Sequence, residues 1–363
     1  MIYLDYNASV PLRPCAKDAL IATLDSEGNA SSVHHGGRKL RSFIDGARKA
    51  ILEKMDGKQL VFTSGGTEAN VHALSGLGPL PHLVSTIEHD SILKSTPKAH
   101  HIPVTLKGCI DLESLEKLLS SFEQPGLLSI MLVNNETGVI QPVQVATRLA
   151  QMKGWKVHTD ASQAVGHIPI SFESLGVDMM TLSSHKIGGP VGIGALLLKE
   201  NLQLRPLIAG GGQEYGMRSG TLSAPLILGF AAALEEALRD EPFVSKRLQN
   251  FQHKIEKSLP EAVVYGKQDA RVSHVLCLGM PGVPAEVQLI SFDIKGIAVS
   301  AGAACSSGKM KSSHVLAAMG VSPQESQCAI RVSMGWKTQE DEIDTFIQAW
   351  QDIYAKQTVK EAS

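Results

Sequence analysis

Helix-period segments and strand-length apolar runs alternate along most of this chain, and that alternation leaves few architectures open. Apolar side chains recur at helical spacing over 38–54. Leu60-Val61-Phe62-Thr63 then reads as a short strand, and Gly65-Gly66-Thr67-Glu68-Ala69-Asn70 opens the next helix. Further strands are expected over 82–85, 127–133 and 157–160. Residues 111–122 read as a helix capped by Asp111, with Glu113 and Glu116 in the early turns, where negative charge suits the helix dipole. Repeated strand–helix units predict a mostly parallel sheet covered on both faces.

The pattern changes near 239–242. A helix over 226–238 and a charged helix over 244–258 lead into a more mixed stretch, with strands expected over 262–265, 274–278, 297–300 and 330–334 and a closing amphipathic helix over 340–354. The expected division is a large α/β domain, 14–242, and a smaller α+β domain made of 1–13 and 243–363. At 363 residues and 43% hydrophobic, the chain can bury cores of that size. A net charge of -2 without a basic block argues against a nucleic-acid or membrane-surface binder and for a small-molecule or protein partner. The start, Met1-Ile2-Tyr3-Leu4-Asp5, lacks the basic and apolar regions of a signal peptide, and the apolar stretch 224–234 is too short to span a bilayer. A cytoplasmic protein is expected. The five cysteines are odd in number and widely spaced, with no Cys-x-x-Cys pair, which argues against a disulfide framework and against a metal site.

Candidate chemistry gathers at strand ends. Lys186 lies in Ser183-Ser184-His185-Lys186-Ile187-Gly188-Gly189-Pro190, between the apolar runs 179–182 and 192–198. Most lysines are solvated surface charges, whereas a buried one is rare and usually functional; this segment alone leaves both readings open. Upstream, the expected strand 157–160 ends in Asp160, the position from which an α/β sheet orients a ring cofactor. An acid and an amine at strand ends meet the needs of pyridoxal phosphate. The turn Thr63-Ser64-Gly65-Gly66-Thr67-Glu68 offers backbone N–H groups and hydroxyls at a helix start, which suits a phosphate, although many such turns only cap helices. A nucleotide P-loop is excluded: between Gly302 and Gly308-Lys309 there is one residue too many, and Met310 stands where Ser or Thr should bind magnesium. Cys305 sits among small residues, Ala303-Ala304 before and Ser306-Ser307-Gly308 after, a loop composition that suits a reactive thiol better than an inert core one.

Eleven motifs in order now give the chain a resemblance. They run from Leu4-Asp5-Tyr6-Asn7-Ala8 and Gly28-Asn29-Ala30-Ser31-Ser32-Val33-His34 through Phe62-Thr63-Ser64-Gly65-Gly66-Thr67-Glu68-Ala69-Asn70, Glu88-His89, Asn134-Asn135-Glu136-Thr137-Gly138 and His158-Thr159-Asp160-Ala161-Ser162-Gln163. They continue through Ser183-Ser184-His185-Lys186, Gly210-Gly211-Gly212-Gln213-Glu214, Arg218-Ser219-Gly220-Thr221 and Ala304-Cys305-Ser306-Ser307-Gly308 to Ile330-Arg331-Val332-Ser333. The chain resembles the cysteine desulfurases of the class V aminotransferase group, those of nitrogen fixation and iron–sulfur-cluster housekeeping.

That resemblance implies fold type I of the pyridoxal-phosphate enzymes, with a mostly parallel seven-stranded sheet, and conversion of L-cysteine to L-alanine with the sulfur left as a persulfide. It implies that Lys186 holds the cofactor and shuttles the α-proton, that Asp160 pairs with the ring nitrogen, that Gln163 bonds the ring hydroxyl, and that His89 stacks on the ring and moves protons in catalysis. Gly66, Thr67, Ser183 and His185 would hold the phosphate, with Thr221 reaching over from the second subunit of a homodimer. Asn135 and Arg331 would hold the substrate carboxylate, and Cys305 would take the sulfur for a protein acceptor in cluster assembly or thiolation. Ala30 stands where the family often has proline, and Ser9-Val10 replace a threonine-rich stretch. The chain ends soon after the last expected helix, without the longer tail by which housekeeping members engage their scaffold. The alternatives are a selenocysteine lyase or another class V enzyme and, outside enzymes, a sulfur-carrier adaptor; the joint presence of Lys186, Asp160, His89, Arg331 and Cys305 favours the desulfurase.

Overall fold

A computed structural model describes residues 1–302 and 312–361. After the short strand β1 (Ile2–Tyr3), a seven-stranded sheet is built from β2 (Gln59–Thr63), β3 (His82–Ser85), β4 (His100–Ile102), β5 (Leu127–Ser129), β6 (Lys156–Asp160), β7 (Met179–Ser183) and β8 (Gly194–Leu198). Its order is β2-β8-β7-β6-β5-β3-β4, with β8 antiparallel to both neighbours and the remaining pairs parallel. Strands β7 and β8 are buried along their whole length, as a sheet covered on both faces requires, and their sequences MMTLS and GALLL carry almost no charge for that reason.

Helices α1 (Pro14–Leu24) and α2 (His35–Met55) precede β2 in the chain, and α3 (Gly66–Ser75) follows it. The helix Leu112–Ser121 starts where its sequence signal lies, with the Asp111 side chain accepting from Glu113 N at 3.0 Å and Ser114 N at 3.3 Å. The second, smaller sheet has the order β12-β10-β9, formed by β9 (Val263–Tyr265), β10 (Val275–Gly279) and β12 (Ala329–Ser333), all antiparallel. Strand β1 pairs in parallel with β11 (Ile297–Ala298).

Several expected boundaries need correction. The break expected at 239–242 is absent: one helix, Ala224–Ser258, runs through Pro242. A proline inside a helix costs about 3 kcal/mol through its lost N–H bond and ring clash. Here tertiary burial offsets that cost. The first half packs Ile227, Phe230, Ala233, Leu234 and Ala237 into the core around the large sheet, and the second half packs Leu248, Phe251 and Ile255 into a separate core with Phe292, Phe346 and Trp350. Strand β5 ends at Ser129, short of the expected Val133, although the chain still runs beside β6: Ile130 N donates to His158 O at 3.1 Å and Leu132 N to Asp160 O at 2.9 Å, and Val133 makes an isolated bridge with Ile140. Strand β11 likewise stops at Ala298, and Ser300 forms an isolated bridge with Arg331. The closing helix extends to Glu361, beyond the expected Tyr354. Among the described residues no helix is long and apolar enough to cross a membrane.

A buried ion pair ties the large sheet to the segment 210–221. Arg48 of α2 donates to Leu60 O at 2.6 Å and to both oxygens of Glu214, at 2.5 and 3.0 Å, while Glu214 Oε2 also accepts from Phe62 N at 2.7 Å. Removing one partner strands the other charge in the interior. We expect Arg48→Met to lower unfolding stability by about 3–5 kcal/mol in urea titration; an unchanged midpoint would show that the pair contributes nothing.

Candidate active site

The site forms at the carboxyl ends of β6 and β7, where side chains leave the sheet together. Asp160 ends β6 and is 7% exposed. Its Oδ2 accepts from Asn70 Nδ2 of α3 at 2.7 Å, and its Oδ1 accepts from Ser162 N at 2.9 Å. Both bonds fix the direction of its carboxyl group. Ser183 ends β7 and leads directly into the 3-10 turn Ser184–Lys186, which carries the lysine toward the amino-terminal segment.

Lys186 Nζ donates to the carbonyl of Asn7 and, at 3.2 Å, to that of Ala8. Burial, and next the Arg331 guanidinium, push its pKa down from the usual lysine value to about 8, against the opposing pull of Asp160 and Asp5. An amine of this kind gives up its proton far more readily than a surface lysine. Gln163 Nε2 donates to the same Asn7 carbonyl at 3.2 Å. Burial, then Lys186, hold the His185 imidazole at about 4, so it is neutral at pH 7; its Nδ1 lies 3.4 Å from Ser9 Oγ. His89 is exposed, and its Nδ1 accepts from Ser91 N at 3.1 Å, which fixes the ring on a short helix start. The preceding Glu88 is fully buried, and burial raises its carboxyl to about 8.

Gly66 opens α3 against the two strand ends. A Cβ at this position would lie 3.2 Å from Ser162 Oγ and 3.3 Å from Ser183 Cβ, so the helix start, Ser162 and Ser183 converge on one small space. Thr67 is exposed in the first turn. Glu68 is bound by Arg218 at 2.8 and 3.2 Å and by Ser64 N at 2.7 Å, which joins the 218–221 segment to this turn; Thr221 itself is exposed. On the opposite side, Arg331 of β12 is 7% exposed and donates to Asp5 Oδ1 at 3.0 Å and to Asn135 O at 3.2 Å, while its buried Nε has no partner. Asn7 Nδ2 reaches the same Asn135 carbonyl at 3.0 Å.

Lys186, Gln163, Asn135 and Arg331 are therefore linked through Asn7 and Asn135. Sequence reasoning assigned no role to Asp5, Asn7 or Asn70. The signal was present, since all three fall inside motifs that carry the resemblance, but a hydrogen bond to Asp160 from a helix ninety residues earlier cannot be read from spacing. Cys305 lies outside the described residues. Of the other cysteines, burial raises Cys15 to about 11 and Cys109 to about 12, and pushes Cys277 and Cys328 upward as well, so none of the four is poised as a thiolate.

Pyridoxal phosphate fits this donor set: an amine of lowered basicity, an oriented acid, a helix start facing two serines, and buried polar atoms without partners at Asn7 Oδ1, Asn70 Oδ1 and Arg331 Nε. Fold and site together define a pyridoxal-phosphate enzyme. Residues 2–346 match the family described as Aminotransferase class-V. A "Cysteine desulfurase IscS" of Dictyoglomus turgidum is 34% identical over 375 aligned residues, covering 98% of this chain and 95% of the relative. A "Cysteine desulfurase" of Cereibacter sphaeroides is 38% identical over 365 residues, covering 96% and 94%. The X-ray structure of a NifS-like protein from Rickettsia africae matches with a TM-score of 0.92 at 34% identity, covering 98% of this chain and 99% of that one. The chain belongs to the class-V aminotransferases and, within them, to the cysteine desulfurases: it is a pyridoxal-phosphate-dependent enzyme that converts cysteine to alanine and a persulfide.

Proposed function

We propose that Lys186 attaches the cofactor and moves the substrate α-proton, and that Cys305 takes the sulfur as a persulfide for a protein acceptor. The observation that carries this reading is the convergence of Lys186 Nζ, of lowered basicity, with the fixed Asp160 carboxylate at neighbouring strand ends. Pyridoxal phosphate, when bound, supplies an electron-poor ring that takes up the electrons released at the substrate α-carbon. Asp160 holds the ring nitrogen, and Gln163 and His89 serve the ring. Gly66 and Thr67 at the start of α3, with Ser183 at the end of β7 and His185 in the turn after it, bind the phosphate through N–H and hydroxyl donors. Arg331 offers its free Nε, with Asn135 beside it, to the substrate carboxylate. Cys305 attacks the substrate sulfur: an S–S bond forms, the carbon–sulfur bond breaks, and its electron pair returns to the carbon skeleton, which takes up protons and leaves as alanine.

The enzyme works as a cytoplasmic homodimer in which Thr221 serves the partner's phosphate, passing sulfur to cluster assembly or thiolation. Ile21 and Leu24 of α1, exposed at i and i+3, support a covered subunit face. The division into 14–242 and 1–13 with 243–363 is supported by the two separate apolar cores that share the helix Ala224–Ser258.

The lowered basicity of Lys186 gives a direct test. Only the unprotonated amine attacks an aldehyde, so the rate at which cofactor-free protein takes up pyridoxal phosphate should rise with pH through about 8 and then level off. Stopped-flow absorbance follows this; a rate still climbing tenfold between pH 9 and pH 10, about where an ordinary lysine titrates, contradicts the assignment.

A further inference from the structure

The carboxylate of Glu136 has no part in the chemistry above, yet it is buried, 2% exposed, beside the substrate-carboxylate group Asn135. Its Oε2 accepts from Ser313 Oγ at 2.5 Å. Gly302 backs onto the same oxygen so closely that a Cβ there would lie 2.3 Å from Oε2 and 3.0 Å from Cδ. Position 302 therefore requires glycine for close approach rather than for an unusual φ. Gly302 and Ser313 flank Cys305 in the sequence, one on each side. Eleven residues of extended chain could separate them by about 36 Å, but Ser313 bonds to, and Gly302 packs against, the same carboxylate.

The base of this clamp is rigid. Asn134 Oδ1 accepts from Glu136 N at 3.0 Å, from Thr137 N at 2.9 Å and from Thr137 Oγ1 at 3.0 Å, which closes the turn. Consecutive residues of that turn face two ways: Asn135 O takes the bonds from Arg331 and Asn7, and Glu136 takes Ser313. Ser313 in turn caps the helix His314–Ala318 by accepting from Leu316 N at 3.0 Å, and His314 Nε2 lies 3.0 Å from Glu88 O, next to His89. A buried carboxylate is expensive to desolvate and is kept where its strong, directed hydrogen bond has a use.

We propose that Glu136 is a positioning residue for sulfur transfer: it bonds Ser313 and packs against Gly302, on either side of Cys305 in the sequence, and so fixes both relative to the turn that presents Asn135. This rests on the reading that Cys305 takes the sulfur. Glu136 touches no reacting atom; it sets where the thiol-bearing segment starts and ends.

The test uses the holoenzyme with Glu136→Ala, Glu136→Gln and Gly302→Ala. Misplacement of a reacting group by about 1 Å can cost about a hundredfold, so Glu136→Ala should lower kcat for alanine and persulfide by about that factor. The cofactor absorbance and the KM for cysteine should stay within about twofold of native, because neither depends on the thiol. Glu136→Gln keeps an oxygen for Ser313 and should recover most of the rate. Gly302→Ala leaves the carboxylate in place but presses a methyl on it, and should reproduce the loss; it carries the test alone if Glu136→Ala does not fold. Alkylation of Cys305 by iodoacetamide needs no placement and should proceed at the native rate in all three. A native kcat in Glu136→Ala and Gly302→Ala overturns the proposal, as does a loss of cofactor binding in step with kcat, which would mark Glu136 as merely structural. Persulfide found away from Cys305 in the unmodified enzyme would instead overturn the underlying reading, whatever the variants do.

Discussion

Lys186→Ala is expected to leave a folded protein that cannot turn over cysteine. The side chain contributes little to stability: its amine reaches only the carbonyls of Asn7 and Ala8, and burial already disfavours its charge. Its removal takes away both the covalent link to the cofactor and the group that moves the α-proton. Proton transfer by a placed side chain is worth about 10²–10⁴-fold by itself, and loss of attachment adds to that, so the residual rate should fall below about one part in ten thousand. Pyridoxal phosphate should still associate through Asp160 and the start of α3, but dialysis should remove it, whereas borohydride should fix it to the native protein and not to the variant. Turnover by Lys186→Ala at the native rate would refute the assignment.

Cys305→Ala should separate sulfur transfer from everything that precedes it. None of the groups placed around the cofactor or the substrate carboxylate involves the thiol, so the variant should bind pyridoxal phosphate and should give the native spectral change on adding L-cysteine. It should then form almost no alanine and no persulfide. Selenocysteine is the control, since selenium leaves carbon more readily than sulfur; residual cleavage of selenocysteine by the variant would show the remaining groups intact. The other four cysteines offer no replacement, because burial raises the pKa of each. If Cys305→Ala released sulfur from cysteine at the native rate while Cys328→Ala did not, the wrong cysteine would have been named.

Much of the large sheet was legible because its strands are short apolar runs with no competing period, and Asp160 and Lys186 could be placed at strand ends from the residues around them. What escaped was set by partners far along the chain. Pro242 argues locally for a break, and only the burial of Phe230 and Ala237 on one side and Leu248 and Phe251 on the other keeps the helix continuous. The apolar run 127–133 looks like one strand, yet its paired ladder with β6 stops at Ser129, and beyond it only Ile130 N and Leu132 N still bond to β6. Around Asp160, Lys186 and Arg331, which the sequence singles out, the residues that bond to them were not legible. Asn70, Asn7 and Asp5 act by bonding to Asp160, Asn135 and Arg331, and such bonds follow from the fold rather than from residue type. Glu136 belongs with them.

The most direct test of the account is incubation of the purified holoenzyme with L-cysteine in the absence of reductant, with alanine and protein-bound persulfide quantified together and the modified peptide mapped by mass spectrometry. The account predicts alanine and persulfide in equal amounts during the first turnover, with the added sulfur on Cys305. Alanine formed while Cys305 remains an unmodified thiol, or persulfide carried by another cysteine, would contradict it.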